Sequence, residues 1–159
     1  MKTSEIKIVV HEFETILELP EIDRQLILEA RKATTRAYAP YSGFHVGAAV
    51  LLGNGKIIAG NNQENSAYPS GLCAERVALF YANANYPESE IKTIAGSAAK
   101  NDILVDEPVK PSGSCRQSLA ETELRFEHPI RIILDGKKSI LVLQGVESLL
   151  PLSFSKKDI

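Results

Sequence analysis

The sequence predicts an α/β sandwich with a mixed sheet. Helical and strand-like periodicities alternate along one domain-sized chain. Two Asx-Gly pairs between apolar runs, Asn54-Gly55 and Asp135-Gly136, signal hairpins and so antiparallel pairing. The length of 159 residues suits a single domain with a proper hydrophobic core.

Taken in order, Glu5–Phe13 contains the apolar run Ile8–Val10 and predicts an added strand within an N-terminal extension, residues 1–19. Residues 20–159 then read as one domain. After Pro20, Ile22, Leu26, Ile27, Ala30, Ala33 and Ala37 share a helical face, which ends at Tyr38–Pro40. Phe44–Leu52 and Lys56–Ala59 are strand-like on either side of Gly53-Asn54-Gly55. Val77, Ala78, Tyr81 and Ala84 recur at helical spacing, and Ile91–Ala99 reads as a buried strand. Asn101–Ser114, with Pro108 and Pro111, reads as a loop, and Cys115–Leu124 as a helix. Arg131–Leu134 and Ser139–Leu143 flank Asp135-Gly136 as the final antiparallel pair, and Val146–Leu150 predicts a short last helix.

Composition excludes several classes of function. A formal net charge of −2 offers no basic face for nucleic acid, and Lys156-Lys157 reads as a solvated tail. No apolar run approaches the ~18 residues that cross a bilayer, and Met1–Glu14 does not read as a signal peptide. Two cysteines are too few for a disulfide scaffold, so a cytoplasmic protein is expected.

Chemistry concentrates in Ser70-Gly71-Leu72-Cys73-Ala74-Glu75-Arg76 and Pro111-Ser112-Gly113-Ser114-Cys115-Arg116-Gln117. Each places a cysteine near a helix start, where free N–H groups and the dipole favour a thiolate. Two such starts facing each other would make a metal-binding pole. Glu75, two residues beyond Cys73, could then address a water there without being a ligand. Taken singly, each cysteine is more often a small core hydrophobe, and Glu75 or Arg76 a solvated helix charge.

The joint pattern resembles the cytidine deaminase superfamily from about Pro20 to Phe154. Tyr38-Ala39-Pro40-Tyr41-Ser42-Gly43-Phe44-His45-Val46-Gly47-Ala48-Ala49 is similar to its opening element, and Gly60-Asn61-Asn62-Gln63-Glu64-Asn65 to its G-x-N-x-E-N. Cys73-Ala74-Glu75-Arg76, Cys115-Arg116-Gln117 and the closing Leu149-Leu150-Pro151-Leu152-Ser153-Phe154 follow in the family's order. The Cys-Ala-Glu form resembles the small homotetrameric nucleoside class.

The resemblance implies a three-layer α/β/α sandwich around a mixed five-stranded sheet, a Zn²⁺ cofactor and a hydrolase. The implied reaction converts cytidine or 2′-deoxycytidine to uridine or 2′-deoxyuridine with release of ammonia. Glu75 becomes the catalytic proton carrier, Cys73 and Cys115 metal thiolates, and Arg76 a donor to those sulfurs. Asn62 and Glu64 are implied to bind the ribose, with Phe44 and Ala74 also at the substrate. Phe154 is implied to stack on the base from a neighbouring subunit of a homotetramer.

One position departs from the pattern. The family's P-C-x-x-C supplies two thiolates, whereas here Ser112 stands where the first belongs. A neutral hydroxyl is a poor replacement for a soft thiolate on zinc. Ser112 oxygen, a second water or a histidine could fill that corner, though strand alternation turns His45 away if Phe44 faces the ligand. Ser112 thus fits an enzyme that still holds zinc, a substitution introduced to weaken the site, or a catalytically weakened nucleoside-binding homologue. A further alternative is deamination of another aminopyrimidine nucleoside.

Overall fold

In a computed structural model describing residues 1–159, the period-2 alternation of the strands feeds two separate cores. Helix α1 (Glu21–Thr34) covers one face of a single sheet, and α2 (Ala74–Asn85) and α3 (Gly113–Phe126) cover the other. The strands are β1 (His11–Phe13), β2 (Phe44–Leu52), β3 (Ile57–Asn61), β4 (Ile91–Lys100), β5 (Ile103–Leu104), β6 (Arg131–Asp135) and β7 (Ile140–Gln144). On β2, Ala48, Val50 and Leu52 pack with Ala74, Ala78 and Leu79 of α2, while Ala49 points to Leu26, Ile27 and Ala30 of α1. On β6, Ile132 and Leu134 belong to the first core and Ile133 to the second. The result is the expected three-layer sandwich.

The sheet order is β1-β7-β6-β4-β2-β3, with β5 folded back on β4. Only β4 and β6 pair in parallel, and α3 makes the crossover between them. All other strand pairs are antiparallel, so the sheet is mixed.

The sheet has seven strands, two beyond the five that the resemblance implied for the domain itself. One addition is β1, which pairs with β7 through His11–Phe13 only; the apolar run Ile8–Val10 precedes it. The other is β5, inside the segment expected to be a loop. Asn101 and Asp102, both at positive φ (52° and 60°), turn the chain back tightly onto β4. Two residues are too short a strand to show alternation. The first helix also stops at Thr34, short of Ala37, and the final helix reduces to one 3₁₀ turn at Val146–Ser148.

Both hairpin signals mark turns between antiparallel strands. Asn54-Gly55 does turn β2 into β3, with Gly55 in the left-handed region at φ +83°. Asp135-Gly136 opens the turn from β6 to β7, with Asp135 paired to Ile140. Asp135 is also fully buried, accepting from Arg31 Nε and Nη2 at 2.8 Å each and from Ser97 Oγ at 2.7 Å. That bidentate pair fastens α1 to the sheet. No helix is long and apolar enough to cross a membrane.

Candidate metal centre and active site

Two helix starts bring the cysteines together. Cys73 occupies the N-cap position of α2 with extended backbone, and its side chain makes no capping bond, which leaves the thiol free. Ser112 caps α3 instead, its Oγ accepting the backbone N–H of Cys115 at 3.3 Å. The first turn of α2 rests directly on β3 at Gly60. A Cβ there would lie 2.5 Å from Ala78 N and 2.8 Å from Ala74 O. Backbone bonds then tie the neighbouring segments: Glu64 N to Tyr38 O, and Gln63 to Leu72 in both directions, all at 2.9 Å.

The sulfurs of Cys73 and Cys115 and a Glu75 carboxylate oxygen all lie within 4.8 Å of one another. Ser112 Oγ is 3.6 Å from Cys73 Sγ and 3.2 Å from Cys115 Sγ, so the hydroxyl stands at the corner where the pattern has a thiolate. The Cys115 thiol donates to Glu75 Oε2 at 3.5 Å. Arg76 donates to Gly71 O at 3.3 Å, and its Nε is buried without a hydrogen-bond partner.

Charge is shared unevenly in this group. The hydrogen bond from Cys115 lowers the Cys73 thiol to about 5; burial opposes that shift, and Ser112 and Arg76 assist it. The same bond holds the proton on Cys115, whose thiol is pushed far up, with burial and the Glu75 charge adding to the effect. Burial raises the Glu75 carboxyl above its ordinary range, and the Cys73 charge adds to this.

Cys73 and Glu75 line a cleft of about 650 Å³ together with Asn62, Glu64, Arg76 and Ser112, and Cys115 is buried behind it. Asn62 bridges two residues of β2, accepting from Val46 N at 2.8 Å and donating to Phe44 O at 2.9 Å. Glu64 accepts from Ser42 Oγ at 2.5 Å and from Tyr41 N at 2.9 Å, and the Ser42 bond first of all holds its carboxyl below the usual range. Phe44, Ala74, His45 and Phe154 are not among the cleft-lining residues of this single chain. Ala74 is fully buried in the first turn of α2, and Phe154 is 63% exposed near the C-terminus, its carbonyl held by Gln117 Nε2. Tyr41 and Tyr68 meet edge-on at 6.2 Å within the lining, and Val109 and Lys110 join it from the loop before α3. Tyr41 was visible inside a quoted motif, whereas nothing in the loop's sequence singled out Lys110.

Residues 20–126 match the family described as the cytidine and deoxycytidylate deaminase zinc-binding region. The chain belongs to this family. It is similar to the cytidine deaminase of Sporosarcina psychrophila, with 39% identity over 135 residues, covering 85% of this chain and 93% of the relative. With the cytidine deaminase of Halalkalibacterium halodurans it shares 37% identity over 138 residues, 86% of this chain and 98% of that one. The crystal structure of the Burkholderia pseudomallei cytidine deaminase superposes with a TM-score of 0.71 at 34% identity, covering 82% of this chain and 97% of that one.

Zinc is the cofactor of this deaminase region, and the donor set here fits it. Two thiol sulfurs and a hydroxyl oxygen converge with a carboxylate beside them, and the Arg76 guanidinium, whose buried Nε has no partner, is near enough to favour a thiolate at Cys73.

Proposed function

We propose that this chain catalyses zinc-dependent hydrolytic deamination of cytidine and 2′-deoxycytidine to uridine and 2′-deoxyuridine, with release of ammonia. The observation that carries the reading is a carboxylate, Glu75, set beside two sulfurs in a cleft that Asn62 and Glu64 also line. That the relatives are named cytidine deaminase favours this over a binding-only homologue or another aminopyrimidine substrate.

Cys73 and Cys115 would hold the zinc as thiolates, and Ser112 would supply a weak oxygen donor at the third corner. When bound, zinc supplies the Lewis acidity that makes water a nucleophile near neutral pH. Glu75 would take one proton from the attacking water and pass it to the ring nitrogen next to the amino-bearing carbon, then take the second proton from the hydroxyl now on that carbon and give it to the departing amine, so that ammonia leaves as the carbonyl forms. Its raised affinity for a proton suits a carrier that must both accept and return one. Arg76 offsets the thiolate charge.

Glu64, anchored by Ser42 and Tyr41, accepts from a ribose hydroxyl, and Asn62 positions the edge of β2 beneath the sugar. Ala74 packs at the base side, and Phe44 borders the sugar side. We place Phe154 in the cleft of a neighbouring subunit of a homotetramer, a reading that its exposure supports. The free thiols suit a reducing compartment, and we place the protein in the cytoplasm.

The test is a cytidine assay on zinc-loaded protein, followed by ammonia release and by loss of cytidine absorbance. Stoichiometric uridine and ammonia are expected. A folded, zinc-loaded chain that leaves cytidine untouched would overturn the reading.

A further inference from the structure

Strand β1 lies at the edge of the sheet and is paired on one side only, with β7. The chain before it continues along the same edge, where Glu5, Ile6 and Lys7 line a shallow cavity with Gln144, Gly145 and Glu147. Ile6, Ile8, Val9 and Val10 are each 46–51% exposed, so the apolar run is half uncovered. No proline or glycine interrupts residues 2–14 to blunt the edge. The family match begins at residue 20, so this edge is an addition to the matched domain.

The segment is complementary to itself. Ser4, Ile6, Ile8, Val10 and Glu12 share one face when extended, with apolar residues between polar ends. Antiparallel pairing of two identical strands about a two-fold axis sets each residue opposite one of the same face. With Ile8 opposite its own copy, Ile6 meets Val10 and, on the other face, Glu5 meets His11, each twice, and no like charges are opposed. Moving the axis to Val9 puts Ile6 against Glu12, and moving it to Val10 puts Ile8 against Glu12. Only the Ile8 register keeps apolar against apolar along this face.

We infer that residues 3–13 form a homotypic contact, in which two copies of this chain extend their sheets into one by antiparallel pairing about an axis at Ile8. The occupant of the open edge is a second copy, because this register sets Glu5 against His11, apolar against apolar and no like charges together. The contact uses neither the cleft nor Phe154, so it stands or falls apart from the proposed activity and the tetramer.

Position 8 permits a direct test, because on a two-fold axis it faces itself. Ile8→Lys opposes two ammonium groups and Ile8→Glu two carboxylates, while a mixture of the variants opposes unlike charges. Light scattering on the full chain should show each variant at half the parent's assembly mass. Mixing the variants one to one should restore that mass, which also shows that both are folded. A parent that is already monomeric overturns the inference, as does a variant of unchanged mass or a mixture that stays at half mass.

Discussion

The Ser112 hydroxyl oxygen receives the backbone N–H of Cys115 at 3.3 Å while lying 3.2 Å from the same residue's sulfur. One side chain therefore caps a helix and occupies a ligand corner, and substitution should separate these roles. Ser112→Cys should bind zinc at least ~10-fold more tightly, since even the outer partners of a metal site alter affinity by about that factor. The metal-free variant should lose about 1 kcal/mol as the cap weakens. Chelator competition and thermal unfolding in excess chelator measure the two effects. Equal zinc affinity in parent and variant would show that position 112 does not address the metal.

Glu75→Gln keeps the shape of the side chain but cannot carry a proton. Turnover of cytidine should fall by at least ~10²-fold, the usual contribution of a positioned acid–base group. Zinc content and unfolding temperature should stay near those of the parent. Near-normal turnover in a zinc-loaded variant would remove Glu75 from the chemistry.

Glu123 gives a pH signature away from the cleft. Its Oε1 accepts from Ile130 N at 2.7 Å and Val146 N at 2.8 Å, yet burial raises its carboxyl above the ordinary value. The folded chain thus holds this proton more tightly than the unfolded chain, and stability declines as pH rises through the raised value. Glu123→Gln keeps an oxygen acceptor without a charge. Its melting temperature should gain on the parent's between about pH 4 and about pH 7. A constant offset across that range would contradict the expectation.

Arg31→Met strands the Asp135 carboxylate, which is fully buried and would keep only Ser97 as a partner. Removing one member of a buried pair costs roughly 3 kcal/mol or more. Urea unfolding should show that loss without a change in zinc content, because the pair lies on the α1 side of the sheet. A variant as stable as the parent would mean that the pair contributes little.

How much of this was legible in sequence depended on how local the signal was. The span of β2 could be read to the residue, because nine residues between a turn and a hairpin carry a full apolar pattern. The convergence of Cys73, Glu75 and Cys115 was also readable, since both cysteines stood at helix starts. Asp135-Gly136 opens the turn between β6 and β7 as its sequence indicated, but the second role of the Asp135 carboxylate was not legible, because it serves Arg31, 104 residues away, a partner that no window of sequence displays. Strand β5 escaped because two residues define no period. Lys110 reaches the cleft only because the loop folds over it, and that placement is tertiary.

Gly60 has a consequence for anyone who would harden this protein. Replacing glycine by alanine is a standard way to trim the freedom of the unfolded chain, and residue 60, within a regular strand, looks eligible. Here the added methyl would meet the backbone of Ala74 and Ala78 and lift the first turn of α2 away from the strand beneath it. The spacing between the Cys73 thiol and the strand beneath it is thus set by an atom that is missing, and this glycine should be left alone.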